Sequence, residues 1–231
     1  MLVVRTIVGL AIAAVLYGLL AIGPVWLLTG SLDWPRGWLA IGVLWGTQLV
    51  SGLWFLKHDP DLLRKRTSFP GGNPLADKVA TALIILLLFG WFVGAAVDVH
   101  HLHLLPALPA AVSLVSGLVL FALGMALVMW TMHENTFASS VVEVQDDRQQ
   151  RVIDTGPYGF VRHPMYAGLV PSFVGLGLVF GSSAFALAAI PMIMVGFLPR
   201  MLIEEATLRR GLEGYDDYLT RVRWRLIPGI M

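Results

Sequence analysis

The sequence is poor in charge and contains no cysteine. Only 13% of its 231 residues are Asp, Glu, Lys or Arg, whereas soluble domains carry about 25%. A chain this short of charge cannot cover a water-facing surface, which excludes an ordinary soluble protein. The lack of cysteine excludes disulfides, thiolate metal sites and a cysteine nucleophile. A net charge of +1, with basic residues scattered between apolar runs, argues against nucleic-acid binding.

Long apolar runs dominate what is present. Hydrophobic residues make up 57% of the chain, and the mean hydropathy is +0.75. A bilayer core about 30 Å thick needs roughly 20 apolar residues per helix. Four runs are of that kind: Val4–Leu28, Trp38–Leu56, Val79–Val97 and Leu108–Thr131. The first is longer than the apolar core of a signal peptide, about 7–15 residues, so we interpret it as a retained helix.

A further apolar region, Met165–Pro199, is interrupted by Gly181-Ser182-Ser183. It is too long for one spanning helix and slightly short for two, and Pro171 weakens its first half. We predict a helical hairpin whose first arm is short or bent. The expected fold is an all-α integral membrane bundle of about five to six transmembrane helices that ends in this hairpin. At this length we expect one membrane domain over residues 1–231, with four helices in 1–131.

The basic residues are distributed asymmetrically. If the N-terminus is cytoplasmic, the loops 57–78 and 132–164 and the C-terminal tail lie on the same side. Fifteen of the 16 Lys and Arg residues then face the cytoplasm, and only Arg36 does not. The positive-inside rule therefore predicts a multi-pass protein with a cytoplasmic N-terminus and a cytoplasmic C-terminal half.

The stretch TGPYGFVRHPMYAG, Thr155–Gly168, gathers polar and aromatic residues just before the hairpin. Gly156-Pro157 indicates a turn, and Pro164 suits the first position of a helix. The motif is thus predicted to be a surface loop that ends at a helix N-terminus. The free N–H groups there favour an anionic ligand group, and Arg162 adds a cation with a planar donor fork.

A pair of carboxylates, Glu204-Glu205, follows where the second arm leaves the membrane. The pair could bind Arg162, Arg200 or a cationic ligand. The hairpin would bring it close to the helix start that favours an anion, and a zwitterion would suit both sites. S-adenosylmethionine has the matching groups, because it carries a carboxylate, an ammonium, a sulfonium and an adenine ring.

The tail predicts a short amphipathic helix. Tyr215, Tyr218 and Val222 share one helical face, and Pro228-Gly229 is expected to end the helix. This helix lies either on the membrane surface or over a cytoplasmic site.

These elements together carry a family resemblance. GPYGFVRHPMYAG, then EE, then GYDDYLTRVRWRLIPGI resembles the isoprenylcysteine carboxyl methyltransferase family, within the superfamily that includes the phospholipid N-methyltransferases. HENTFASSVVEVQ, His133–Gln145, is similar to a segment of bacterial members. The resemblance covers Met132 to the C-terminus. It implies a helical membrane enzyme, in a bacterial inner membrane, whose residues 132–231 form a cytoplasmic S-adenosyl-L-methionine pocket.

The resemblance and the residue types together give a set of candidate site residues, with no metal site among them. The candidate cofactor contacts are Gly156, Pro157, Tyr158, Val161, Arg162, His163, Tyr166, Glu204 and Glu205. Arg162, His163 and Glu205 are the candidate catalytic residues. Asn135, Gln145, Tyr215 and Tyr218 are candidate acceptor contacts, with loop capping an equal alternative for Asn135 and Gln145 and membrane anchoring an alternative for the tyrosines.

The methyl acceptor stays open in the sequence. A terminal carboxylate has a pKa of about 3.3–3.7 and needs no base at neutral pH. An amine or thiol must lose a proton, for which His163, His133 or Glu205 would serve. The expected partners are membrane lipids and a lipophilic small-molecule or prenylated substrate, not nucleic acid. The oligomeric state also stays open.

Two other classes of function compete. An NAD(P)H-dependent membrane reductase, similar to sterol reductases, would need basic residues such as Arg221, Arg223 and Arg225 for a phosphate group. A transport or assembly protein would usually show ionisable groups in mid-membrane, and these spans have almost none.

Three charged segments are interpreted as structural. Asp59 and Asp61 with Arg64-Lys65-Arg66 are expected to form a solvated loop, and the tail arginines to contact lipid headgroups. His100, His101 and His103 are interpreted as loop residues, not as metal ligands.

Overall fold

The computed structural model describes residues 2–67, 75–139 and 141–230, so that residues 68–74 of the basic loop 57–78 lie outside the described residues. These described ranges contain helices and no β-strand. Five helical stretches are long and apolar enough to cross a membrane: Leu2–Thr29, Pro35–His58, Leu75–Leu102, Ala110–Glu134 and Ser183–Gly211. A shorter apolar helix covers Pro164–Phe180. The prediction of an all-α membrane bundle is confirmed, and the protein is an integral multi-pass membrane protein.

The helices are named in chain order. They are α1 (Leu2–Tyr17), α2 (Gly23–Thr29), α3 (Pro35–His58), α4 (Pro60–Arg66), α5 (Leu75–Val97), α6 (Ala110–Glu134), α7 (Pro164–Phe180), α8 (Ser183–Gly211) and α9 (Tyr215–Arg221). A π-helical turn, Gly18–Ile22, joins α1 to α2, and a second one, Asp98–Leu102, extends α5. A 3-10 turn covers Gly156–Gly159 in the loop before α7.

Helices α6 and α7 cross at very short distance through glycines spaced seven residues apart. A Cβ atom on Gly124 would lie 2.4 Å from the carbonyl oxygen of Gly168, and one on Gly117 would lie 2.7 Å from that of Gly175. Small residues let two membrane helices bring their backbones this close. The crossing sets the start of α7 beside the end of α6, which is where the polar loop begins and ends.

The predicted hairpin is confirmed as α7 and α8. Helix α7 has 17 residues and is therefore about 25 Å long, shorter than a bilayer core of about 30 Å. Gly181 ends it with a φ of +101°, a conformation that favours glycine. The hydroxyl of Ser182 then accepts a hydrogen bond from the Phe185 N–H at 2.9 Å and caps α8.

Arg36 closes the turn of this hairpin. Its Nε donates to the carbonyl oxygen of Val179 at 2.9 Å, and its Nη2 donates to that of Leu178 at 2.7 Å and to Ser113 Oγ at 2.8 Å. A cation at the C-terminus of a helix satisfies its last carbonyls and complements its dipole. This contact gives a structural use to the one basic residue expected on that face.

Helix α9 folds over the polar loop. Tyr215, Tyr218 and Val222 are buried together against Val152, Leu208, Leu212 and Leu219, which confirms the shared face. The predicted helix end at Pro228-Gly229 is wrong, because α9 stops at Arg221. The chain then turns back to α7: the Arg162 N–H donates to the Trp224 carbonyl and the His163 N–H to the Arg225 carbonyl, both at 2.9 Å. A longer α9 would keep the Trp224 and Arg225 carbonyls within the helix, where they could not accept from these two amides.

Candidate active site at the start of α7

A cavity opens between the polar loop, the end of α8 and α9. Its walls are formed by Asn135, Phe137, Ala138, Ser139, Val141, Val142, Glu143, Gln150, Arg151, Val152, Ile153, Tyr158, Arg162, His163, Pro164, Met165, Tyr166, Arg200, Glu204, Leu208, Leu212, Tyr215 and Tyr218. The wall combines aromatic, aliphatic and charged side chains, as small-molecule sites do.

Most of the candidate site residues meet at this cavity. Those that line it are Asn135, Tyr158, Arg162, His163, Tyr166, Glu204, Tyr215 and Tyr218. Gly156, Pro157, Val161, Gln145 and Glu205 are not part of the wall. The structure therefore separates the candidates into residues that face the cavity and residues that support it.

Glu205 is bound on all sides by cations. Its side chain is 8% exposed, with Oε1 at 3.1 Å from Arg162 Nη1 and Oε2 at 3.0 Å from Arg225 Nη2. His163 Nε2 lies 3.2 Å from Oε1. Two arginines already compensate this buried charge, so Glu205 joins α8 to the motif and to the tail. The interpretation of Arg225 as a lipid contact is wrong, since it belongs to this cluster.

Glu204 is in a different environment. Its side chain is 35% exposed and faces the cavity. Tyr166 Oη donates to its Oε2 at a long 3.5 Å, and His163 Nδ1 lies 3.9 Å from the same oxygen. Neither neighbour neutralises the carboxylate in the way that the arginines neutralise Glu205. Of the two adjacent glutamates, Glu204 is the one placed to bind a cationic ligand group.

Arg162 is held firmly at the edge of the cavity. Besides its ion pair with Glu205, its Nη2 donates to the Arg223 carbonyl at 2.9 Å. Its Nε is buried without a hydrogen-bond partner in the described part of the chain.

His163 lies between the two glutamates and the aromatic wall. Its ring stacks on Tyr166, with 5.7 Å between centroids and 17° between planes. It is buried, and its Nε2 lies at hydrogen-bond distance from Glu205 Oε1, whereas its Nδ1 is 3.9 Å from Glu204 Oε2. His133, the other histidine considered as a base, is exposed, lies edge-on to Trp54 and does not line the cavity. The structure removes His133 from the candidate bases.

The tyrosines of the wall are uncharged. Burial raises the pKa of Tyr158, Tyr215 and Tyr218 above the usual value. The Tyr158 hydroxyl accepts a hydrogen bond from Asn135 Nδ2 at 2.9 Å, and the Tyr218 hydroxyl donates to the Tyr158 carbonyl at 2.9 Å. Tyr218 therefore acts as a pocket wall, not as a membrane anchor, and the cavity presents neutral aromatic rings.

The family comparison agrees with this geometry. Residues 112–213 match the model of the phospholipid methyltransferase family. The match runs from α6 through the polar loop and the hairpin to the end of α8, which confirms the resemblance to the isoprenylcysteine and phospholipid methyltransferase superfamily. It supports a membrane methyltransferase. No curated protein matches the chain.

The candidates that do not line the cavity shape the structure around it. A Cβ atom on Gly156, whose φ is +54°, would lie 2.7 Å from the carboxyl carbon of Glu134. Pro157 and Val161 are buried beneath the motif. Gln145 donates to the Phe137 carbonyl at 2.7 Å and accepts from Arg148 at 3.0 Å. For Gln145 the structure therefore favours loop capping over contact with the acceptor.

Helix α4 lies outside the matched segment and yet reaches the site. Asp59 caps it by accepting from the Leu62 N–H at 2.9 Å, and Leu62 is buried against Phe55 and Ala138. Arg66 Nη1 donates to the Ala138 carbonyl at 3.1 Å. The solvated-loop interpretation is right about the exposure of Asp61 and Arg64, but the segment is a helix and Arg66 is partly buried. The Asp59-Pro60 pair was the signal for a helix start.

Two further polar clusters are structural. Arg200, at the inner end of the cavity, forms a buried ion pair with Asp77 at 3.0 Å and so joins α5 to α8. On the opposite face, His100 lies edge-on to Trp34. Within the described ranges, no group of three or more His, Cys, Asp or Glu side chains is arranged to hold a metal.

Proposed function

We propose that the protein is an S-adenosylmethionine-dependent methyltransferase that methylates a lipophilic acceptor at the cytoplasmic face of the membrane, as isoprenylcysteine carboxyl methyltransferases do. The observation that carries this proposal is the carboxylate of Glu204, which faces a cavity lined by neutral aromatic rings. That cavity lies mainly within the segment that matches the methyltransferase family.

The residues of the cavity suit this cofactor. When bound, S-adenosylmethionine supplies a methyl group activated by a positively charged sulfur. Glu204 would bind the ammonium through a charge-assisted hydrogen bond. The rings of Tyr158, Tyr166 and Tyr215 provide flat apolar surface for an adenine. Arg162, whose side chain lines the cavity, supplies a cation for the carboxylate.

The buried ion cluster has a positioning role. Glu205 fixes Arg162 and Arg225, and the tail fixes the two amides that precede α7. Rigid positioning matters here, because methyl transfer depends mainly on alignment and on excluding water. Arg162 is the candidate that would touch the cofactor. His163 also lines the cavity, whereas Glu205 acts through its neighbours.

The acceptor is proposed to be a carboxylate beside an isoprenyl chain, with a phospholipid amine as the second candidate. The family match favours the second candidate, because its model describes phospholipid methyltransferases. A carboxylate needs no base, whereas a protonated amine must lose a proton, for which Glu204 and His163 are the nearest groups of the wall. Transfer of a labelled methyl group to N-acetyl-S-farnesylcysteine or to phosphatidylethanolamine would separate the two.

The sidedness follows from charge. Arg162, Arg200 and the tail arginines cluster at the end of the bundle that holds the cavity, while Arg36 lies at the other end. This distribution supports a cytoplasmic cavity under the positive-inside rule. A bacterial inner membrane would be the corresponding location.

The test is calorimetric titration of the detergent-purified protein with S-adenosylhomocysteine. We expect binding by the wild type, a loss of at least tenfold in Glu204→Gln, and no change in Asp216→Asn, an exposed carboxylate paired with Arg209. Tenfold corresponds to about 1.4 kcal/mol. If the folded wild type binds NADPH but not S-adenosylhomocysteine, the reductase replaces the methyltransferase as the proposed function.

A further inference from the structure

Arg66, at the end of α4, is a partly buried cation without a carboxylate partner among the described side chains. Its Nη1 donates to the Ala138 carbonyl at 3.1 Å and lies 4.0 Å from Met165 Sδ. Burial lowers the pKa of Arg66, yet a guanidinium stays charged at neutral pH. A charge removed from water in this way is costly unless an anion joins it.

Arg66 lies between the cavity and an apolar cluster. Ala138 and Met165, which it contacts, line the cavity on one side. The same two residues pack into an apolar cluster with Phe55 and Leu62 on the other side. The guanidinium also lies near Tyr158 and Tyr166, which belong to the cavity wall. An anion bound at Arg66 would therefore be next to the cofactor cavity and also next to apolar packing.

The neighbouring Arg200 shows why Arg66 is the relevant cation. The positive charge of Arg200 lies close enough to contribute to the lowered pKa of Arg66. Arg200 has Asp77 as an ion-pair partner at 3.0 Å, and that carboxylate is buried. The charge of Arg200 is compensated within the protein, so of these two guanidinium groups Arg66 is the one without a carboxylate partner among the described side chains.

The apolar side suits a hydrocarbon chain. Met129, Met132 and Met165 pack around Phe55 and Leu62, and methionine side chains adapt to irregular ligands. The adjoining outer surfaces of α3 and α6 expose large apolar residues, among them Leu53 and Trp130. A lipid tail lying against these helices would place its polar end near Arg66.

We infer that Arg66 binds an oxyanion of the acceptor, and that the acceptor is an amphiphile in which a carboxylate or phosphodiester lies at or beside the methyl-accepting atom. Calling this ligand an acceptor rests on the proposed function. The inference selects against neutral lipophilic acceptors, such as an alkyl thiol. It also adds a site residue from α4, outside the segment that matches the family.

The test measures thermal unfolding of the purified full chain in a neutral maltoside detergent with three probes: hexadecyl phosphate, palmitate and hexadecanol. Ligands that bind the native state raise the unfolding temperature. We expect both anionic probes to stabilise the wild type more than hexadecanol does. Arg66→Gln should lose that difference, and Arg66→Lys should keep part of it. Arg64→Gln, which removes an exposed charge from the same helix, should keep all of it.

The relative shifts separate the two sources of the anion. A larger effect of hexadecyl phosphate indicates a phospholipid, and a larger effect of palmitate indicates a carboxylate acceptor. Equal shifts from all three probes, or shifts that Arg66→Gln and Arg66→Lys leave intact, would overturn the inference.

A second titration, with S-adenosylhomocysteine on the same samples, distinguishes this inference from the proposed function. If the wild type binds S-adenosylhomocysteine but shows no preference for the anionic probes, the inference about Arg66 fails and the proposed function stands. If the anionic probes displace S-adenosylhomocysteine, Arg66 serves the cofactor carboxylate and the inference is wrong. Simultaneous binding of both supports it.

Discussion

Both ends of the α7–α8 hairpin contain arginines and acidic residues, but the charges of these residues have different partners at the two ends. At the turn, Arg36 binds the last carbonyls of α7, and the buried Asp98 accepts from Ser182 and from the Leu104 N–H. At the open end, Arg162 and Glu205 form an equally buried pair. Beside that pair, however, Glu204 and Arg66 carry charge that the described protein side chains do not neutralise.

This difference shows how one kind of polar cluster serves two purposes. The turn uses its arginine to satisfy carbonyl groups at the end of α7. The open end uses Glu205 in the same structural way and adds Glu204 one residue earlier, where the helix turns its side chain to the cavity. Charge left without a protein partner in a cavity is typical of functional sites.

The largest expected effect is that of Glu205→Gln. The change removes a buried carboxylate from two arginines and leaves their charges unpaired, which should cost about 3 kcal/mol of unfolding free energy. Urea or thermal unfolding in detergent measures it, with the exposed Glu213→Gln as the control. A stability within about 0.5 kcal/mol of wild type would show that Glu205 is not structural and would erase the contrast with Glu204.

A smaller loss is expected at the other end of the hairpin. Arg36→Gln removes charge-assisted hydrogen bonds to two carbonyls of α7, at a cost of about 2 kcal/mol. S-adenosylhomocysteine affinity should stay at the wild-type value, because the turn lies at the far end of α7 from the cavity. The matched control is Arg209→Gln, an exposed arginine paired with Asp216. A tenfold loss of affinity in Arg36→Gln would mean that the two ends are coupled.

Arg225→Gln should have a mixed effect. It removes one of the two arginines of Glu205 but leaves Arg162 in place. We expect about 1 kcal/mol of lost stability, because Arg225 is only partly buried, together with weaker S-adenosylhomocysteine binding as Arg162 loses its fixed position. Arg223→Gln is the control, since Arg223 contributes its backbone carbonyl and has an exposed side chain. Equal behaviour of the two variants would contradict the role of Arg225.

The smallest expected effect is that of pH between 7 and 9. The raised pKa of Tyr158, Tyr215 and Tyr218 keeps these phenols neutral in the folded protein. Unfolded tyrosine ionises near pH 10, so stability should be constant below about pH 10 and fall above it, as the unfolded state loses protons first. Thermal unfolding from pH 7 to above about pH 10 measures this dependence. A rise in stability between pH 8 and pH 10 would contradict the raised pKa values, because it would mean that the folded state loses these protons before the unfolded state does.

Several features were predictable because their causes are local in sequence. The membrane spans follow from apolar runs, and the start of α7 from Pro164. The buried face of α9 follows from the spacing of Tyr215, Tyr218 and Val222, although the helix ends earlier than its sequence pattern indicated. The early end depends on hydrogen bonds from the Arg162 and His163 amides, which lie far away in sequence.

The sequence by itself determined a multi-pass helical bundle, a short-armed hairpin and the polar residues gathered at one membrane face, because hydropathy, prolines and glycines act over a few residues. Only the tertiary structure decided which charges meet. It bound Glu205 to Arg162 and Arg225, turned Glu204 to the cavity and brought Arg66 to the wall. Adjacent glutamates look identical in a sequence. They differ once the helix direction and the packing of α4, α7, α8 and the tail fix how far each carboxylate is from a cation and from water.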